Sequence, residues 1–212
     1  MYSNQNCNGD QYKHDPTANP IENAINQMNY QFPLPEAMAI QTRTCMKTVQ
    51  INKGDLLLMP DMQVTKMYYL NKGLLKLSCD QIDGTRKPLD FWDAGEYVLM
   101  SSEFLLGKKN EKFYIEALED AELVVILKEE FRTVLDVFWE THPLLKNISD
   151  LKSRRRICHL QLLMLPPNKR YAALGARGCL YQNMRLKTRL ADQEMAEFLA
   201  ISLRTLYLTK KN

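Results

Sequence analysis

Histidine is scarce in this sequence, with three residues among 212. All three, His14, His142 and His159, lie outside its strand-like middle. A metal-dependent barrel enzyme needs several His or carboxylate ligands converging from its strands, and a Ser/His/Asp or Cys/His site needs a histidine base. Neither arrangement is present, so the chain is not read as an enzyme and no metal is expected. The five cysteines, at 7, 45, 79, 158 and 179, are scattered, odd in number and never spaced as Cys-x-x-Cys. That argues against a disulfide framework, a zinc finger or an iron–sulfur cluster, and free thiols are expected. No stretch approaches the ~20 apolar residues of a membrane span. The N-terminal MYSNQNCNGDQYKHDP shows no basic-then-apolar signal pattern. A cytoplasmic protein with no membrane partner is the expectation.

The composition that remains is ordinary for a globular chain: 45% hydrophobic, 25% charged, with length for one large or two small domains. The net charge of +3 hides a split. Residues 1–151 hold 15 Lys and Arg against 22 Asp and Glu, a balance of −7. Residues 152–212 hold 13 against 3, a balance of +10. An acidic body with a basic tail suggests that the tail meets a polyanion; a solvated basic face gives the same count.

Residues 1–20 are Asn-rich and polar and read as a mobile tail. Residues 21–47 carry a helical pattern broken around Pro33 and Pro35. From Val49 to Leu127 short apolar runs alternate with turn signals, and glycines 54, 73, 84 and 95 fall between the runs. This spacing predicts an antiparallel barrel or sandwich. From Lys128 the pattern is helical. Thr141-His142-Pro143 marks a helix start, and Leu144, Ile148, Leu151, Arg155, Cys158, Leu162 and Leu165 recur at alternating spacings of four and three. Pro166-Pro167 ends the run. We read this seam as a dimer interface between two long helices; packing inside one chain is the alternative.

Residues 168–212 form a small basic unit. Tyr181–Leu186 is predicted as a short strand. DQEMAEFLAISLRTLYLTKKN has the apolar spacing of a helix-turn-helix, with Ala196 at the closest approach and Met195, Leu199, Ile201 and Leu206 in the angle. Ser202 suits the N-cap of the second helix. Such a helix can lie in the DNA major groove with its N-terminal residues at base edges. Arg204 is the one side chain on it able to make a bidentate contact to guanine. Leu203 suits a thymine methyl, and Thr205 and Tyr207 a phosphate. Lys210, Lys211, Arg185, Lys187 and Arg189 are candidate phosphate contacts. A generic helical hairpin would show the same apolar spacing.

The order of parts resembles the CRP/FNR superfamily of bacterial transcription regulators. The resemblance rests on INKGDLLLMPD, MYYLNKGLLKL, DFWDAGEYVL, FYIEALEDAELVVI and EMAEFLAISLRTL, which together place almost everything from residue 25 onward. It implies an α+β chain in three parts: a cyclic-nucleotide-binding-like β-roll (a double-stranded β-helix) over 21–140, a dimerisation helix over 141–167 and a winged-helix-like helix-turn-helix domain over 168–212. It also implies a homodimer on double-stranded DNA, with RNA polymerase as a further candidate partner. Members that bind cyclic AMP carry a Gly-Glu pair followed by Arg-Ser/Thr-Ala. Gly95-Glu96 matches the first part, but Glu111-Lys112-Phe113 stands at the second, which puts a carboxylate where the phosphate needs a guanidinium. Gly95, Glu96 and Lys112 remain the candidate effector residues. No cofactor is assigned; a small-molecule effector other than cyclic AMP, or none, is expected. The recognition helix also departs, with Leu208 at the usual late Arg and Ala200 at the turn glycine. A full wing is not expected after it. The rival reading is a ligand-binding or dimeric interaction protein whose helix pair no longer reads DNA.

Overall fold

The computed structural model describes residues 14–176, 179–181 and 184–211. Two helices open it, α1 (Pro20–Gln31) and α2 (Glu36–Thr44), separated at the prolines as their backbone chemistry requires. The Asn19 side chain caps α1 by accepting from the Ile21 amide at 2.9 Å, and Pro20 sits where no helical N–H is needed. Residues 14–19 are held in place, which corrects that part of the mobile-tail reading. His14 Nδ1 lies 3.0 Å from the Tyr69 hydroxyl, and Asn23 donates to the Asp15 carbonyl at 2.6 Å. Residues 1–13 of that reading lie outside the described residues.

Eight strands follow: β1 (Met46–Ile51), β2 (Leu56–Leu58), β3 (Lys66–Lys72), β4 (Leu74–Asp80), β5 (Arg86–Asp93), β6 (Glu96–Val98), β7 (Phe113–Ala117) and β8 (Ala121–Leu127). A short helix, α3 (Ser101–Leu106), lies between β6 and β7. The strands form two antiparallel sheets, ordered β1-β8-β3-β6 and β2-β7-β4-β5. This is the expected roll. The chain changes sheets at Lys72-Gly73-Leu74. Gly73 has φ +105°, and a Cβ there would lie 2.7 Å from that of Ala121, so both backbone and space demand glycine. Tyr69, Leu70, Leu75, Trp92, Leu123 and Val124 are buried in the roll's core.

Helix α4 (Lys128–Val137) leads into α5 (Thr141–Met164), 24 residues and about 36 Å long at 1.5 Å per residue. Its seam faces its own chain, which corrects the dimer-interface assignment. Leu144 and Ile148 belong to the roll's core, Leu162 to a second core, and Leu151 and Cys158 are half-buried. Arg155 keeps 2% of its exposure and bonds within the monomer. An a/d stripe is satisfied equally by a partner helix or by the chain's own elements, and here α1, α4 and the two cores take it. A different stripe points outward: Ile157, Leu160 and Met164 are 58%, 61% and 84% exposed.

After Pro166 come α6 (Pro167–Leu174), α7 (Leu186–Arg189), α8 (Asp192–Phe198) and α9 (Leu203–Lys210). The described residues of the expected strand at 181–186 form turns leading into α7, with Tyr181, Met184 and Leu186 buried; Gln182 and Asn183 lie outside the described residues. The second core joins Leu162, Leu174, Tyr181, Met195, Phe198 and Leu206 to Leu74 and Phe91 of the roll. The C-terminal head therefore rests on β4 and β5, with Phe91 edge-on to Phe198 at 4.9 Å. Among the described residues no helix is long and apolar enough to cross a membrane.

Candidate nucleic-acid interface and sensor site

The last two helices meet at Ala196 and Leu206, both buried. Helix α8 ends in a Schellman arrangement: Ile201 N donates to Ala196 O at 3.0 Å and Ala200 N to Glu197 O at 3.1 Å. Ala200 is left-handed, with φ +49°. Ala200→Gly is expected to raise unfolding stability by about 1 kcal/mol, because glycine carries no Cβ penalty there. Urea unfolding at pH 7 checks this, and an unchanged or lower midpoint would refute it. Arg170, which sequence reasoning missed, clamps the same turn. Its guanidinium donates to Leu165 O at 2.9 Å, Leu199 O at 3.0 Å and Ala200 O at 2.8 Å. These carbonyls end α5 and α8, and a forked donor satisfies both ends at once. No sequence signal marks Arg170, since its acceptors are backbone atoms up to 30 residues away.

Helix α9 is anchored by Leu206 and capped by Ser202, whose hydroxyl accepts from Thr205 N at 3.1 Å. Leu203, Arg204, Tyr207, Leu208 and Lys211 are exposed, and Thr205 is half-buried. Among the described residues Arg204 has no ion-pair partner. Lys210 is tied to Asp192 across the two helices. Arg185 is exposed, with φ +52°. Lys187 lies with its Nζ 4.5 Å from the centre of the Tyr171 ring, and burial pulls its pKa down.

Arg189 is elsewhere, which corrects its assignment as a phosphate contact. It donates to Glu119 at 2.7 and 2.8 Å, to Asp93 at 2.6 Å and to Gly73 O at 2.9 Å. These partners belong to the roll, so Arg189 docks the head. Lys76 to Glu194 at 2.7 Å and Lys87 to Glu197 at 3.6 Å add to the same contact. His159, on α5, stacks on Phe198 at 4.1 Å and donates to the Phe198 carbonyl at 2.8 Å.

The candidate effector residues Gly95 and Glu96 lie at a turn where Gly95 has φ +93°. Glu96 Oε2 accepts from the Asp93 amide at 3.1 Å and lies 3.0 Å from Arg155 Nη1. Burial pushes the Glu96 carboxyl up, against the pull of the Arg155 charge. Arg155 also donates to Phe91 O, and Asp90 accepts from the Tyr181 hydroxyl at 3.1 Å. The Gly-Glu turn, α5 and the head thus share one buried network. The space beside Glu96, Trp92, Lys152 and Arg155 measures about 10 Å³, room for about one water. Lys112 is exposed, with its Nζ 5.7 Å from the centre of the Phe113 ring, and Glu111 is exposed beside it. The structure thus does not bring Lys112 to Glu96. A larger cavity of about 90 Å³ lies elsewhere in the roll, lined by Leu57, Leu58, Met62, Tyr68, Val98 and Ile115 among others.

Residues 48–137 match the cyclic nucleotide-binding domain family. No curated protein matches the sequence. Among solved structures the chain is similar to a CRP/FNR-family protein from Eubacterium rectale, at 15% identity over 86% of each chain, with a TM-score of 0.67. It is similar to FixK2 from Bradyrhizobium japonicum at 15% identity, covering 78% of this chain and 83% of that one, with a TM-score of 0.63. It is also similar to CLP, a c-di-GMP-responsive global regulator from Xanthomonas campestris, at 13% identity, covering 84% and 90%, with a TM-score of 0.62. The chain shares the fold of these three structures. The residues present do not fit a cyclic nucleotide. Glu96 is already paired to the chain's own Arg155, and the space at the turn has room for about one water.

Proposed function

From a chain with this fold and a cyclic-nucleotide-binding-type roll, we propose a homodimeric DNA-binding transcription regulator whose signal is not a cyclic nucleotide. The observation that carries this reading is α9. Leu206 fixes it to the head, while Arg204, Tyr207 and Lys211 face outward from the segment that holds the chain's positive charge. DNA contact would come from Ser202, Leu203, Arg204, Thr205 and Tyr207 at the groove, with Lys211 and Arg185 at phosphates. Lys210 and Lys187 are less free, since one is paired to Asp192 and the other lies against Tyr171. Arg204→Ala is expected to cost about 1–3 kcal/mol and to relax discrimination at one base pair per half-site. Binding titrations on operator and random duplexes check it, and an equal loss on both would assign Arg204 to phosphate. Purified protein that ignored duplex DNA at low ionic strength, where counterion release favours contact most, would overturn the regulator reading.

The dimer follows the outward stripe of α5. Ile157, Leu160 and Met164 are spaced three and four apart, so two copies related by a two-fold axis would set like residues against like. Leu160→Asp is expected to leave the monomer folded and the dimer dissociated by light scattering. Asp at Ile148 would instead enter the core and unfold the chain. A Leu160→Asp protein that stayed dimeric would refute this interface.

Signal transfer would run from roll to head through the docking contacts. A ligand can move the head only by binding its docked and released arrangements unequally. The 90 Å³ cavity is lined mostly by apolar side chains, with Gln63, Thr65 and Lys66 among the rest, and its size suits a small effector better than a nucleotide. A second reading, an interaction protein with a silent head, draws on Leu203 and Leu208, both exposed on α9. Specific duplex binding excludes it.

A further inference from the structure

We propose that Cys158 and Cys179 form a reversible thiol–disulfide site that ties the long helix to the head. Cys158 lies on α5 and Cys179 between α6 and α7, 21 residues apart in sequence, yet their Sγ atoms are 3.5 Å apart. Both are free and only half-buried, so a small oxidant reaches them. A disulfide needs an S–S distance of about 2.05 Å, which side-chain rotation can supply from this separation. The other described cysteines differ. Cys79 is buried, and Cys45 is buried with its thiol held against the Gln41 and Glu130 carbonyls. Burial pushes the Cys179 thiol up to about 11, while the nearby Lys187 charge works the other way. The Cys179 thiolate is therefore scarce at neutral pH, so its attack is slow there and quickens as pH rises.

The oxidant is a low-molecular-weight disulfide. The Cys158 thiolate attacks one of its sulfurs, the small S–S bond breaks, and a mixed disulfide forms as the first small thiolate leaves and takes a proton. The Cys179 thiolate then attacks the Cys158 sulfur and expels the second small thiolate, which is protonated in turn. Two protein thiols lose two electrons and two protons, and the small disulfide becomes two thiols. The new bond bridges the helix boundary at Pro166-Pro167 and ties the segment after α6 to α5, which would restrain any release of the head. That last consequence for DNA rests on the regulator reading; the chemistry does not.

The test takes the full chain through buffers from reduced to oxidised glutathione, followed by acid quench, alkylation, intact mass and peptide mapping. The expected result is joint loss of two thiols, one peptide linking 158 to 179, and full reversal by dithiothreitol. Cys158→Ser and Cys179→Ser should each stop at the glutathione adduct, and Cys45→Ser should behave as the parent. If both thiols stay alkylatable in excess oxidised glutathione, or if the linked peptide involves Cys7 or a second chain, the proposal is overturned. DNA titration of the linked and reduced forms gives a separate arm. A roughly 5–150-fold difference, the range of ordinary coupling between sites, supports head locking. Linked protein with unchanged affinity removes that consequence and leaves the thiol site standing.

Discussion

Arg155→Met is expected to destabilise the folded chain by about 3–5 kcal/mol at neutral pH, the usual loss when one member of a buried ion pair is removed. Arg155 is 2% exposed and its guanidinium satisfies the Glu96 carboxylate and the Phe91 carbonyl, with Asp90 at 3.9 Å. Methionine fills much of the same volume but supplies no donor. Glu96 would then be a largely buried carboxylate facing Asp90 and Asp93 without its Arg155 partner. The loss should depend on pH in a definite direction. Burial already raises the Glu96 carboxyl in the parent, and removing Arg155 raises it further. A carboxyl whose folded pKa exceeds its unfolded value favours folding while protonated and loses that advantage as pH climbs through the folded pKa. The variant should therefore lie closer to the parent near pH 4.5 than at pH 7. Urea unfolding of both proteins at the two pH values measures this. A loss under about 1 kcal/mol, the worth of an ordinary exposed pair, would show that Arg155 is replaceable.

One turn earlier on the same helix, Lys152 should behave in the opposite sense. Its ammonium lies 3.2 Å from the Met100 sulfur and 5.5 Å from the centre of the Trp92 ring, and the described structure gives it no ion pair. Burial, with the Arg156 charge second, pulls its pKa down from 10.5 to about 8. That gap corresponds to a penalty of about 3 kcal/mol on the charged form. Lys152→Met is therefore expected to stabilise the chain at pH 7 by up to about 3 kcal/mol. The folded state releases the proton more readily than the unfolded state, so the parent gains on the variant as pH rises from about 8 to 10.5. Above that window the two should converge. Unfolding midpoints at pH 7 and pH 10 decide it, and a variant no more stable at pH 7 would sink the idea. The two cations stand three residues apart on one helix, and the difference is a carboxylate within reach of one and an apolar wall around the other.

The roll is legible in the sequence because its signals are local. Alternating apolar runs mark the strands, and Gly73 and Gly95 mark turns where φ is positive. The terminal helix pair is legible for the same reason, down to the Ser202 cap and the left-handed position of Ala200. The faces are not legible. A heptad stripe on α5 says that one side is covered, but a neighbouring sheet and a second helix impose the same spacing. Arg155 reads as a polar break in a coiled coil because Glu96 and Phe91 are 59 and 64 residues away in sequence. Arg189 reads as one more cation in a basic tail because Glu119 and Asp93 are 70 and 96 residues away.

Sequence by itself determined the strand-rich middle, the long helix, the terminal helix pair, their order and the uneven charge. Each of these depends on residues close together in the chain or on composition. Tertiary structure alone decided which side of the long helix is covered, which basic residues of the tail are paired to carboxylates, and which two of the described thiols meet. Those outcomes turn on distances between residues far apart in sequence, and only packing of the folded chain sets such distances.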